Sequence, residues 1–347
     1  MAPLVSPLDL AACRELMRGG SRSFFAASLL LPRTVREPAC ALYAFCRIAD
    51  DEIDASGGSP RALESLRTRL DAVYRLAPTS HPADRALAAV VHRFHIPRVL
   101  PEALLEGFEW DAQGRVYETF DEVCDYAARV AGTVGAMMAL LMGVRGADAV
   151  ARACDLGVAM QLSNIARDVR EDASMGRLYL PRAWLREDGL DPDGWLADPR
   201  PHGAIDRAVH RLLAEADALY RRVDGGVAHL PLPCRPGINA ARRLYAAIGH
   251  EVRRRGHQAW HSRTVVPGSR KAWLLAQAVV HLWPRRGGAE PPLPANRHLV
   301  HAAASAPLPL DDQLAVTDRT AWVIDLFERL ERQERARYPV RRPARAS

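Results

Sequence analysis

Apolar residues recur every three to four positions along most of the chain, and no segment alternates with the period of two that a strand requires. Residues 8–18 carry this helical pattern and meet a stop signal at Gly19-Gly20. Thr34 and Glu37 have the spacing of a capping box, and the helix they predict runs to Ile53 or Asp54 before Gly57-Gly58. Amphipathic helices are expected over 61–74 and 83–94, and Leu104, Leu105, Phe108 and Trp110 are expected in the core. Between Pro101 and Pro181 no proline occurs, which suits long uninterrupted helices. Residues 126–142 are apolar and rich in small side chains, with Gly132 and Gly135 leaving room for a neighbouring helix or a long apolar ligand. After an irregular stretch marked by Pro192, Pro199 and Pro201, helices resume over 205–223 and 238–260. The fold class predicted is all-α: one bundle of mostly antiparallel helices around a central cavity.

Two of these helices carry acids on an apolar background. In the run from Gln161 to Asp172, Asn164, Asp168 and Asp172 are four residues apart and share a stripe with Gln161. Stacked oxygen acceptors on a buried face need a counter-charge, and a hard divalent cation supplies it. The competing interpretation is a solvated charged face. A second run, Tyr43 to Asp54, projects Tyr43, Arg47, Asp50, Asp51 and Asp54 from one side. Glu52 falls about 200° from Asp50, on the opposite side. Two such helices facing each other can hold metal ions between them, and a diphosphate would balance the charge.

These residues resemble the squalene/phytoene synthase family of head-to-head prenyl transferases, in the form found in carotenoid-making purple bacteria. The matching pieces are Gly20-Ser21-Arg22-Ser23-Phe24, the two acidic runs, Val130-Ala131-Gly132-Thr133-Val134-Gly135, and Gly176-Arg177-Leu178-Tyr179-Leu180-Pro181. The resemblance covers roughly residues 8–283. It implies the isoprenoid-synthase fold and the joining of two geranylgeranyl diphosphates, through prephytoene diphosphate, into phytoene. It implies Mg2+ (Mn2+ able to substitute) held by Asp50, Asp54, Asn164, Asp168 and Asp172, with no nucleotide cofactor. Tyr43 and Arg47 join those aspartates in catalysis, while Ser21, Arg22, Gln161, Arg167, Tyr245 and Arg263 are expected to bind substrate. One departure stands out: many members carry a second tyrosine where this chain has Ala128, so the role of that ring is either unfilled here or taken by Tyr126. Alternatives left open are a synthase using farnesyl diphosphate, a type I terpene cyclase, and a non-catalytic helical assembly factor of the same fold.

Composition narrows the partners. The 347 residues are 48% hydrophobic and 25% charged, an ordinary globular profile. A net charge of +6 suits anionic substrates or an anionic membrane surface. Nucleic acid is not expected, because no binding-module motif occurs and aromatics are only 6%. Six cysteines without metal spacing predict buried thiols in a reducing cytoplasm. No apolar run is long enough to span a bilayer; the lipid product that the resemblance implies makes peripheral contact with the inner membrane, and handover to the next carotenoid enzyme, the expectation. From Pro284 the character changes. Residues 284–316 are read as a proline-rich linker, and 317–347 as an amphipathic helix with a basic tail of unknown role. A chain ending near Leu282 is accordingly expected to fold and turn over.

Overall fold

The computed structural model describes residues 4–280 and 290–309, the side chains of Arg22, His257 and Gln258 excepted. Every regular element among them is helical. In chain order these are α1 (Pro7–Gly20), α2 (Arg22–Ser28), α3 (Arg33–Ala55), α4 (Pro60–Tyr74), α5 (Pro82–Phe94), α6 (Val99–Ala112), α7 (Phe120–Ala127) and α8 (Thr133–Leu141). There follow α9 (Ala147–Ser174), α10 (Arg182–Glu187), α11 (Pro192–Ala197), α12 (Gly203–Val227), α13 (Arg235–Arg255), α14 (Gly268–Val280) and α15 (Arg297–Ala304).

Local chemistry sets many of the helix starts. Ser6-Pro7, Ser59-Pro60 and His81-Pro82 each pair a side-chain acceptor at the cap with proline in the first turn. Proline lacks only a donor that would be unpaired there anyway. The expected capping box at Thr34 does not form. Helix α3 begins at Arg33 with Pro32 at its cap, two residues before the expected cap, and Glu37 pairs instead with Arg14 and Arg33. Two arginine partners outbid one backbone N–H for that carboxylate. A capping box does form at Thr119 and Glu122, opening α7.

Helix α9 is the axis of the bundle, packed by α8, α12, α13 and α15. The apolar stretch 126–142 is not one helix. A π-helical turn, Ala128–Gly132, joins α7 to α8. Its small residues let backbones touch. A Cβ on Gly157 would lie 2.2 Å from the carbonyl oxygen of Ala131, and one on Gly135 2.1 Å from that of Ala153. Phe108 is buried core and does not line the cavity described below.

The stretch read as a linker contains structure. The compact unit extends through Ala306. Within it α15 packs against α6, α8 and α9 and buries Leu299, Val300 and Ala303. Pro294 opens the 3-10 turn Pro294–Asn296 rather than breaking a helix, because its position is the first of that turn. Within the stretch 284–316, the described residues 290–306 thus hold a 3-10 turn and a helix. The expected helix and tail of 317–347 lie outside the described residues.

Candidate active site

Helix α9 lines a cavity of about 260 Å³ with Asn164, Gln161, Met160, Leu156 and Ala153. Residues of α3, α8, α12 and α13 form the other walls, and Val130, Ala131, Val134 and Gly135 of the small-residue stretch are among them. That stretch therefore serves both close packing and the cavity wall. The walls are mostly apolar, with Tyr43, Gln161, Asn164 and Tyr245 gathered at one end and Arg152 lining the other. Ser21 caps α2 by accepting from the Phe24 N–H, and its hydroxyl lies 3.4 Å from that of Tyr245. The Tyr43 ring stacks on Phe24, and Gly20 leaves space for the Tyr43 hydroxyl, which a Cβ would approach to 2.4 Å. The backbone of Arg22 opens α2, while its side chain lies outside the described residues.

Beyond this polar rim stand the carboxylates, and arginines hold most of them. Arg167 donates through Nε to Asp168 at 2.7 Å, and Arg263 grips the same carboxylate at 3.2 and 3.3 Å. Both Nη atoms of Arg177 donate to Asp54 at 3.0 Å. Arg47 bridges Asp50 and Asp51. Glu52 points the other way, accepting from Arg69 at 2.7 Å, and Arg69 in turn pairs with the buried Asp84. This is the helical rotation expected from the sequence.

Among the described residues no arginine hydrogen-bonds to the Asp172 carboxylate, although the Arg177 backbone N–H donates to the Asp172 carbonyl at 2.9 Å. Burial, and then the charge of Asp168, push its carboxyl up to about 8. Burial and then Asp54 push Asp50 up to about 6. Crowded carboxylates in a low-dielectric setting favour a bound cation or a proton. Among the described residues no three His, Cys, Asp or Glu side chains converge to ligating range. The arginine pairings account for this, since each turns a carboxylate toward its own guanidinium. The donor chemistry nevertheless fits magnesium. The candidate ligands would all offer hard oxygens, and Oδ1 of Asn164 is buried without a hydrogen-bond partner among the described residues, as a waiting ligand would be.

Sequence reasoning missed Asp111, at the end of α6. It accepts from Tyr179 at 2.7 Å and Tyr126 at 2.8 Å, whose rings stack 4.9 Å apart. Burial pushes it up to about 6 against those hydrogen bonds. Its charge is felt by both Asp50 and Asp172, so it lies electrostatically between the two acidic helices. The available signal was its spacing from Leu104 and Phe108, which puts an acid on the buried stripe of α6. Tyr126 spends its hydroxyl on Asp111 and does not line the cavity, so it does not stand in for a ring at Ala128.

The squalene/phytoene synthase family model matches residues 17–270, a span that includes both acidic helices and most of the cavity wall. The chain belongs to the squalene/phytoene synthase family. Among its relatives, the phytoene synthase of Rhodobacter capsulatus is 52% identical over 87% of this chain and 91% of its own. That of Cereibacter sphaeroides is 49% identical over 96% of each. A solved dehydrosqualene synthase in complex with ligand is 31% identical and superposes with a TM-score of 0.73 over 79% of this chain and 96% of its own. Squalene/phytoene synthase membership makes the chain an enzyme of the prenyltransferase type and its fold that of the isoprenoid synthases.

Proposed function

We propose that the chain condenses two geranylgeranyl diphosphates head to head, through prephytoene diphosphate, into phytoene with release of diphosphate. The observation that carries this is one apolar cavity opening onto two facing acidic helices, in a chain about half identical to phytoene synthases. Asp50, Asp54, Asn164, Asp168 and Asp172 would hold Mg2+. When bound, the metal stabilises the charge that develops on the departing diphosphate. The chain's own residues do the rest. Arg47, Arg167, Arg177 and Arg263 exchange carboxylate oxygens for diphosphate oxygens. Tyr43, Tyr245 and the Ser21 hydroxyl donate at the cavity mouth, and Gln161 faces the reacting end. Arg22 opens the segment over the diphosphate. Apolar walls keep water from the allylic cation.

Purified protein given magnesium and either farnesyl or geranylgeranyl diphosphate tests the reading by the hydrocarbon formed. Phytoene from the twenty-carbon substrate is expected. A thirty-carbon product alone would favour a dehydrosqualene-type reaction, and a cyclic product from one diphosphate would favour a cyclase.

Contact with a membrane surface is part of the same proposal, because the product is a lipid. No described helix is long and apolar enough to cross a bilayer. Helix α14 exposes Trp273, Val279 and Val280 beside Arg270 and Lys271, a combination suited to an anionic interface. Co-sedimentation with anionic vesicles should fall on Trp273→Ala. The six cysteines are free thiols, consistent with a reducing compartment.

A further inference from the structure

The cavity has a floor as well as a mouth. Its lining residues on α9 run in order from Asn164 through Met160 and Leu156 to Ala153, Arg152 and Ala149. At the rise of an α-helix, Arg152 lies about 24 Å along α9 from Asp168. Helix α12 runs antiparallel beside it, with Tyr220 bonded to Ser163 and Gly226 against Arg152. Arg152 is the one charged side chain among the described lining residues.

Its guanidinium reaches residues that do not line the cavity. Nη2 donates to the Glu290 carbonyl at 3.1 Å and stands 3.2 Å from a carboxylate oxygen of Asp155, which is fully buried. Asp155 also lies 3.3 Å from Nε of Arg222 and accepts from Asn296 at 3.0 Å. Arg222 donates to the Pro291 carbonyl at 2.6 Å. Residues 290–296, beyond the span the family model matches, therefore help to fix the arginine in place. Gly226 makes room for the stem, since a Cβ there would lie 2.3 Å from that of Arg152.

We infer that Arg152, anchored by Asp155 and by residues 290–296, is the floor that limits the length of prenyl chain this cavity accepts, a specificity-determining role that rests on the reaction proposed above. The physical basis is a contrast of stiffness. Met138, Met142 and Met160 also line the cavity, and thioether chains yield to a longer ligand. The Arg152 stem does not yield, because moving it unpairs a buried ion pair and strips a carbonyl of its donor. A chain longer by one isoprene unit meets that stem.

The test compares kcat/KM for fifteen-, twenty- and twenty-five-carbon prenyl diphosphates. Arg152→Ala lowers the floor and should raise the ratio of twenty-five- to twenty-carbon turnover by at least about tenfold. Ala149→Leu raises the floor without touching the ion pairs. It should lower the ratio of twenty- to fifteen-carbon turnover by at least about tenfold. If Arg152→Ala does not fold, as judged by circular dichroism, Ala149→Leu decides alone. Ratios that stay at wild-type values, or a loss equal at all three lengths, overturn the inference and leave the reaction reading intact. Wild-type protein inert toward every diphosphate with magnesium overturns both.

Discussion

Without metal, Asp172 titrates near neutrality, because burial and then Asp168 hold its carboxyl up at about 8. A carboxyl raised from about 3.9 in the unfolded chain favours folding fully below that value. Its contribution is lost as the pH rises through about 8. In a chelator, wild-type stability should therefore decline between about pH 4 and pH 8 more steeply than that of Asp172→Asn. Denaturant titrations at several pH values check this, and parallel slopes would refute it. The same site separates geometry from net charge. Asp168→Asn should lower turnover at least about a hundredfold, or about 2.7 kcal/mol of barrier. Glu52→Gln removes a like charge from the far side of α3, where Arg69 holds it, and should cost less than about tenfold. Steady-state rates for the pair with magnesium titrated would contradict the metal stripe if the losses were equal. The stripes were legible because carboxylates four apart on an apolar helix leave a periodic trace. Asp111 leaves only its place on the apolar stripe of α6, and Arg152 leaves no such trace. Each is a single charge whose meaning comes from partners far along the chain, Tyr179 and Glu290 among them.

At the scale of elements, apolar periodicity located most of the helices, while their ends and breaks depended on competition that spacing does not record. Thr34 lost its capping role because Glu37 has arginine partners. The π-helical turn at 128–132 was hidden inside one apolar run. Residues 290–306 looked like a linker because prolines were counted as breakers, whereas Pro294 begins a turn that leads into α15. This reverses the expectation for truncation. A chain ending at Leu282 should lose thermal stability and turnover, since it uncovers α9 and deprives Asp155 of Asn296 and Arg152 of its carbonyl acceptor. A chain ending at Pro309 should keep both, as thermal melts and product assays would show. Gly157→Ala forces a methyl onto the Ala131 carbonyl and should destabilise by about 1–3 kcal/mol in denaturant titration. A change within a few tenths would mean that the π-helical turn and α9 separate freely.

For the molecule as a whole, α9 lines the cavity and carries half of the acidic rim, and α3 carries the other half. Helices α3 and α9 terminate at Ala55 and Ser174, so Asp54 and Asp172 sit in their last turns. Peptide dipoles add along a helix and leave about half a negative charge at its C-terminus. Two such termini point partial negative charge at a site already crowded with carboxylates. Acids are disfavoured in that position by about 0.3–1 kcal/mol each, and cations are favoured by a similar amount. A divalent cation bound there would fasten two helix ends as well as serve the proposed reaction. At a hundredfold excess over its dissociation constant it would stabilise the fold by about 2.7 kcal/mol. Chelation should speed amide hydrogen exchange first in residues 51–55 and 169–174, while amides near Leu162, in the middle of α9, keep their protection.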